Sequence, residues 1–291
     1  MKIVRIIGGL GNQMFQYALY MALKHRFPRE KVLVDTSCFR GYGVHNGLEL
    51  ETVFGLSLPR AGFRDLIKVT RPTYCYQLSA AMRKFLPSRN TECFELPDYT
   101  YNDNVFSPGD RYYWGYWQNH EYFRGVDDVL KSHFIFRKDL NEPTRDMLRM
   151  IEENRGRCVS LHVRRGDYLK ALNYAGLCGI DYYRAAIDYM SEHVEDPLYI
   201  VFSDDMEWCR NEILPLVKGG EVHCADFNKG GDSPLDMLLM SWCDHNIIAN
   251  SSFSWWSAFL NQHTGKIVCA PRKWTNTKVN CAFQLPEWNL F

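Results

Sequence analysis

Between Pro143 and Cys269 short apolar runs alternate with segments of helical spacing, and this alternation limits the fold more tightly than any other feature of the chain. Helices are predicted over Pro143–Glu153, Tyr182–His193, Met206–Leu214, Leu235–Cys243 and Phe253–Asn261. Strands are predicted over Cys158–Val163, Leu198–Phe202, Val222–Cys224, Asn246–Ala249 and Lys266–Cys269. A strand followed by a helix and another strand closes as a right-handed parallel crossover. The series therefore reads as α/β with a doubly wound parallel sheet.

The opening residues begin a second region of the same kind. Lys2–Ile7 is a β-branched run that ends in Gly8-Gly9-Leu10-Gly11-Asn12-Gln13, after which Phe15, Ala18, Leu19, Ala22 and Leu23 recur at helical spacing. Asn12 is expected as the N-cap of that helix. Val32–Val34 reads as a strand ending at Asp35, completing a Rossmann-like β-loop-α-β start. Residues 41–107 show no sustained period and read as loops and short elements; Tyr112–Trp117 reads as a strand and Glu121–Lys131 as a helix. A chain of 291 residues exceeds what one core usually fills. The boundary falls in the charged stretch 137–156, giving domains 1–140 and 141–291.

Side chains two apart in a strand share a face, so His162 and Arg164 project together from the end of Cys158–Val163. Ligands of open α/β sheets bind at the carboxyl ends of strands, where a guanidinium offers a planar fork to phosphate. The alternative is an arginine-aspartate brace of the turn at Gly166, involving Arg165 and Asp167. At Asn250-Ser251-Ser252-Phe253-Ser254 a strand runs through hydroxyls into a helix, which makes either an anion site or a plain cap. Asp204 and Asp205 end another strand, where one can meet a nucleoside or cap the next helix. The Gly9-x-Gly11 loop is no dinucleotide fingerprint, because Met14 occupies the third glycine position, and no P-loop signature is present. It remains a turn that admits close backbone approach, or one capped by Asn12.

Composition removes whole classes. Lys plus Arg and Asp plus Glu are equal at 34 each, which leaves no global field for nucleic acid. The 10 cysteines include no Cys-x-x-Cys pair, against a zinc ribbon or a disulfide framework. MKIVRIIGG is too short for a signal peptide and no run of 18 apolar residues occurs, so a cytoplasmic chain without a transmembrane segment is expected, with peripheral membrane association left open. No Asp-x-Asp occurs, so any leaving diphosphate must be met by Arg164, Arg165 and the helix start at Ser251–Ser254 rather than by a metal.

The blocks GGLGNQMFQYA (8–18), HVRRGDY (162–168), FSDD (202–205) and NSSFSWWSAF (250–259) together resemble the family 11 glycosyltransferases, bacterial GDP-fucose-dependent α-1,2-fucosyltransferases. They stand in the family's order and span nearly the whole chain; all but FSDD are specific. The wider α-1,2, α-1,6 and protein O-fucosyltransferases share His-x-Arg-x-Gly-Asp, matched by His162, Arg164, Gly166 and Asp167, and Gly-Asn-Gln, matched by Gly11, Asn12 and Gln13. The resemblance implies a GT-B-like α/β fold of two Rossmann-like domains with parallel doubly wound sheets facing across a cleft, acceptor-side first and GDP-fucose-binding second.

It further implies inverting, metal-independent transfer of L-fucose from GDP-β-L-fucose to the 2-hydroxyl of a terminal galactose in an oligosaccharide acceptor. Arg164 is expected to stabilise the leaving GDP and Asn12 to position the reacting groups across the cleft. His162, Arg165, Asp167, Asp204, Asp205, Ser251, Ser252, Phe253 and Ser254 are the expected donor contacts, and Gly9, Gly11 and Gln13 form the glycine loop. No metal or other cofactor is expected. No residue identifies itself as the general base. Two other readings stand beside this one: a transferase of the same fold using another nucleotide sugar, and a non-catalytic sugar-binding protein whose Trp114 and Trp117 stack on pyranose faces.

Overall fold

A computed structural model describes residues 1–72, 75–170, 172–276 and 283–291, with the side chains of residues 79, 80, 167 and 170 outside that description. The chain divides into two units, Met1–Lys138 and Asp139–Phe291. Each is built on a wholly parallel sheet. No described helix is long and apolar enough to cross a membrane.

The first unit runs β1 (Lys2–Arg5), α1 (Leu10–Arg26), β2 (Val32–Asp35), α2 (Leu50–Phe54), α3 (Phe63–Val69), α4 (Tyr76–Phe85), β3 (Glu92–Phe94), β4 (Arg111–Trp114) and α5 (Asp127–His133). Its strand order is β2-β1-β4-β3. Residues 41–107, expected as loops and short elements, thus supply three helices and an edge strand. Their pattern is too broken to read because β3 is only three residues long and half-buried. β4 stops short of Trp117 at Gly115, where an added Cβ would lie 2.5 Å from the Cβ of Glu95. The helix expected over Glu121–Lys131 is split into a 3-10 turn, His120–Tyr122, and α5. Gly125, at φ +95, sits between the two, in the left-handed region that favours glycine.

The second unit contains α6 (Glu142–Glu153), β5 (Cys158–Val163), α7 (Ile180–His193), β6 (Leu198–Ser203), α8 (Met206–Trp208), β7 (Glu221–Ala225), α9 (Pro234–Trp242), β8 (His245–Ile247), α10 (Ser252–Leu260), β9 (Val268–Ala270) and β10 (Asn289–Leu290). The single helix expected at Met206–Leu214 is instead α8, a π turn and a 3-10 turn. Pro215, lacking an N–H and clashing with the preceding turn, prevents a regular continuation. β10 was not foreseen, since two residues carry no periodicity.

The sheet order β10-β9-β8-β5-β6-β7 places β5 in the middle. All six of its residues are buried. Val159, Leu161 and Val163 pack with Tyr183, Ile187 and Met190 of α7 on one face. Leu198, Ile200 and Phe202 of β6 pack with Leu239 and Met240 of α9 on the other. The two faces are therefore both covered, which is why these strands read as continuous apolar runs.

A buried polar relay fixes α10 to the sheet. Asn246 of β8, 0 % exposed, donates to Ser160 Oγ of β5 at 2.7 Å, and Asn261 at the end of α10 donates to Asn246 Oδ1 at 2.8 Å. Away from water every member must be paired, so one register of β5, β8 and α10 is selected. The nine described cysteines are all free thiols. Asn246→Ala leaves Ser160 and Asn261 short of partners; the expected cost is about 1–3 kcal/mol, seen as a lower urea midpoint with an unchanged slope.

Candidate functional site

In the second unit the chain reverses direction at β5: β6 and β7 lie on one side, β8, β9 and β10 on the other. Such a switch point opens a crevice beyond the carboxyl ends of the two divergent strands. Of the residues singled out from the sequence, His162, Arg164, Arg165, Asp204, Asp205 and Ser251–Ser254 belong to this unit and stand at those strand ends.

His162 is 7 % exposed, and its ring lies 6.1 Å from that of Phe253 in the first turn of α10. Tyr183 of α7 donates its hydroxyl to the His162 carbonyl at 3.1 Å and so pins the strand end. Burial, and next the Arg164 charge, hold the imidazole down at about 4, against the opposing pull of Asp204. The ring is therefore neutral at pH 7. Its Nδ1 is buried with no hydrogen-bond partner among the described residues. An orphaned buried polar atom costs about 1–3 kcal/mol and marks a place where a ligand can restore the bond.

Arg164 follows directly. Its Nη1 lies 3.2 Å from Asp204 Oδ2, and its Cζ 5.7 Å from the Tyr168 ring. Asp204 also accepts the Arg165 backbone N–H at 2.9 Å. Gly166 leaves room beside them, since a Cβ there would come within 2.7 Å of Asp204 Oδ2 and the carboxylate would have to shift. Arg165 pairs through Nε with Asp205 Oδ2 at 3.1 Å and stacks on Trp208 at 4.0 Å. Asp205 in turn caps α8, its Oδ1 accepting the Trp208 N–H at 3.2 Å. Asp204 and Asp205, one of which is expected at the nucleoside, are thus both engaged by the two arginines, as braces of the strand-end turns. The side chain of Asp167 lies outside the described residues.

Across the switch point Ser251 accepts the Phe253 N–H at 3.3 Å and caps α10. Ser254 is fully buried, its hydroxyl turned back to the carbonyls of Ala249 and Ser251. Ser252 and Phe253 are half-buried and form the accessible part of the helix start. Tyr168 donates to the Asn250 carbonyl at 3.2 Å, tying the segment after Arg164 to this turn. A neutral imidazole, a guanidinium and a helix N-terminus consequently share one strand edge, a combination suited to an anion that carries a hydrogen-bond donor or acceptor beside it.

The glycine loop belongs to the first unit. Gly8 has φ +92 and Gly9 is the N-cap of α1, so Asn12 is not the cap expected from the sequence but lies inside the first turn. The glycines make the turn, and α1 begins two residues before Asn12. Asn12 Oδ1 accepts from Gln118 Nε2 at 2.5 Å. Gln13 is fully buried, joining the carbonyls of Gly8 and Gly47 and the N–H of Glu49. Gly11 is buried and Gly9 half-buried. Glu95, just past β3, was not found from the sequence; it accepts the N–H groups of Tyr116 at 2.7 Å and Gln118 at 2.9 Å. Burial pushes its carboxyl up to about 7 against those bonds. Trp117 is fully buried against Tyr113 and Tyr122, which removes it as a sugar platform.

The family model of Glycosyl transferase family 11 matches residues 71–291. An alpha-1,2-colitosyltransferase of Escherichia coli is 33% identical over 286 residues, covering 94% of this chain and 91% of the relative. Galactoside alpha-(1,2)-fucosyltransferase 1 of Lagothrix lagotricha is 27% identical over 264 residues, covering 87% and 63%. Among solved structures, the fucosyltransferase NodZ from Bradyrhizobium superposes with TM-score 0.45 at 15% identity, covering 88% and 90%.

Because the folded state holds His162 at about 4, below its ordinary 6.5, it binds fewer protons than the unfolded chain between those values. The stability this contributes is complete above about pH 6.5 and is lost as pH falls through that window. The stability difference between wild type and His162→Gln is expected to move in the variant's favour from about pH 6.5 to about pH 4, read from urea midpoints at both ends.

Proposed function

The chain belongs to glycosyl transferase family 11, and from that premise we propose that it transfers L-fucose from GDP-β-L-fucose to the 2-hydroxyl of a terminal galactose, with inversion and without a metal. The observation that carries the donor half is the buried, unpartnered His162 Nδ1 beside Arg164 and the start of α10. Arg164 meets the diphosphate as its bond to the anomeric carbon breaks, and Ser252 and Phe253 present the helix terminus to the same charge. Asp204 holds the guanidinium in place, so little reorganisation accompanies the reaction. His162 bonds the donor from the strand end. Asn12, in the first unit, is assigned to positioning the acceptor, its carboxamide oriented by Gln118.

The α-1,2-fucosyltransferase relative supports the linkage and the sugar. The colitosyltransferase relative favours a second reading, in which nucleotide-linked colitose is the donor sugar. Linkage analysis of the products from both donors on a galactose-terminated acceptor separates the two. GDP is expected to raise Tm more than UDP or ADP at equal concentration, because stabilisation follows occupancy; an equal response to all three removes the guanine assignment. Arg164→Ala is expected to lower kcat by about 100-fold or more with the fold retained by circular dichroism. Turnover is expected to persist in EDTA, and strict dependence on added Mn²⁺ or Mg²⁺ contradicts the metal-free route.

A further inference from the structure

The first unit holds a cavity of about 420 Å³, within the size range of small-molecule sites, about 300–1,000 Å³. It is lined in part by Arg5, Tyr76, Arg83, Phe94, Trp114 and Tyr116. Arg5, at the end of β1, is 7 % exposed, and its Cζ lies 4.1 Å from the centre of the Trp114 ring. Arg83, from α4, approaches the same ring to 4.0 Å and Phe94 to 5.4 Å. Two guanidiniums therefore converge on one indole.

Among the described residues no carboxylate lies in ion-pair contact with either guanidinium. The acids around them are engaged elsewhere: Glu95, which also lines the cavity, accepts the Tyr116 N–H at 2.7 Å and the Gln118 N–H at 2.9 Å, and Asp35 accepts Tyr112 Oη at 2.6 Å and the Ser37 N–H at 2.9 Å. Glu92 accepts Thr70 Oγ1 at 2.5 Å and the Arg89 N–H at 2.9 Å. Burial, then the Arg5 charge, holds Arg83 below its ordinary value. Contact with an aromatic face attracts each cation, while the two like charges repel each other. An oxyanion between them relieves both the repulsion and the missing partner, and two guanidiniums fork a carboxylate well.

Resting on the reading that this chain glycosylates an oligosaccharide, we infer that the cavity is an acceptor subsite for an acidic sugar, whose carboxylate is held by Arg5 and Arg83. Tyr76, Phe94 and Tyr116 supply apolar surface for its ring. Phosphate shares the recognition chemistry and is the competing source of charge.

The test uses the full chain and three galactose-terminated acceptors: neutral, bearing a hexuronic acid next to the galactose, and bearing a phosphate at that place. Binding is measured by titration calorimetry without any donor, and transfer kinetics follow with GDP-fucose. The uronate acceptor is expected to bind about tenfold tighter than the neutral one. Arg83→Gln, which keeps a polar side chain on α4, is expected to bring that ratio to about one through KM rather than kcat, with the GDP thermal shift as the check on folding. Arg5→Gln tests the buried partner. Equal binding of neutral and uronate acceptors by the wild type, or an unchanged ratio in Arg83→Gln, overturns the inference. A preference confined to the phosphate acceptor overturns the acidic-sugar assignment. Failure of the fucosyl reading shows separately, as absent transfer from GDP-fucose while the donor-free binding ratio persists.

Discussion

The side chain of Asn246 is the constraint on which the second unit depends. It joins Ser160 in the central strand to Asn261 at the end of α10, in a region where no water is at hand to replace a lost bond. With the far end of α10 fixed, its first turn has one place to be, next to His162. The site is thus set from below, by a relay on the covered face of the sheet, before any charged residue contributes. Tyr182 and Tyr183 complete the arrangement from the opposite face: their hydroxyls reach the carbonyls of Ile248 and His162, the ends of the two strands that diverge.

The arginines of the two units contrast in how their charge is met. Arg164 and Arg165 each face an aspartate from the adjacent strand end, so their positions are held by structure and only their remaining capacity is offered outward. Arg5 and Arg83 lie on an indole with no acid in ion-pair contact among the described residues. A paired guanidinium is pre-placed for a charge that appears during a reaction. One without such a pair keeps its full capacity for a charge that a ligand brings with it.

Much of this was legible in the sequence, for identifiable reasons. The bounds of β5 are legible to the residue, because six buried positions bounded by arginines leave no ambiguity of period or end. The start of α10 was placed within one residue by its hydroxyl run. Asp204 and Asp205 were located correctly as strand-end carboxylates, but whether they meet a ligand or an arginine depends on the lateral order of β5 and β6, which no local pattern encodes. Asparagine favours the cap position, which makes Asn12 the expected cap, whereas the glycine turn starts α1 earlier. The cavity of the first unit was invisible, since it joins residues 5, 83 and 114 from three elements with no shared motif.

The nine described free thiols carry a consequence of their own. Burial pushes Cys158, Cys178 and Cys269 up to about 12, so that almost none of each is thiolate at neutral pH. Cys158 begins the central strand and Cys269 lies in β9. A thiol reagent therefore finds these two sulfurs only when the sheet itself opens. Their labelling rate gives the chain a built-in clock for breathing of its interior, readable strand by strand from which cysteine carries the adduct.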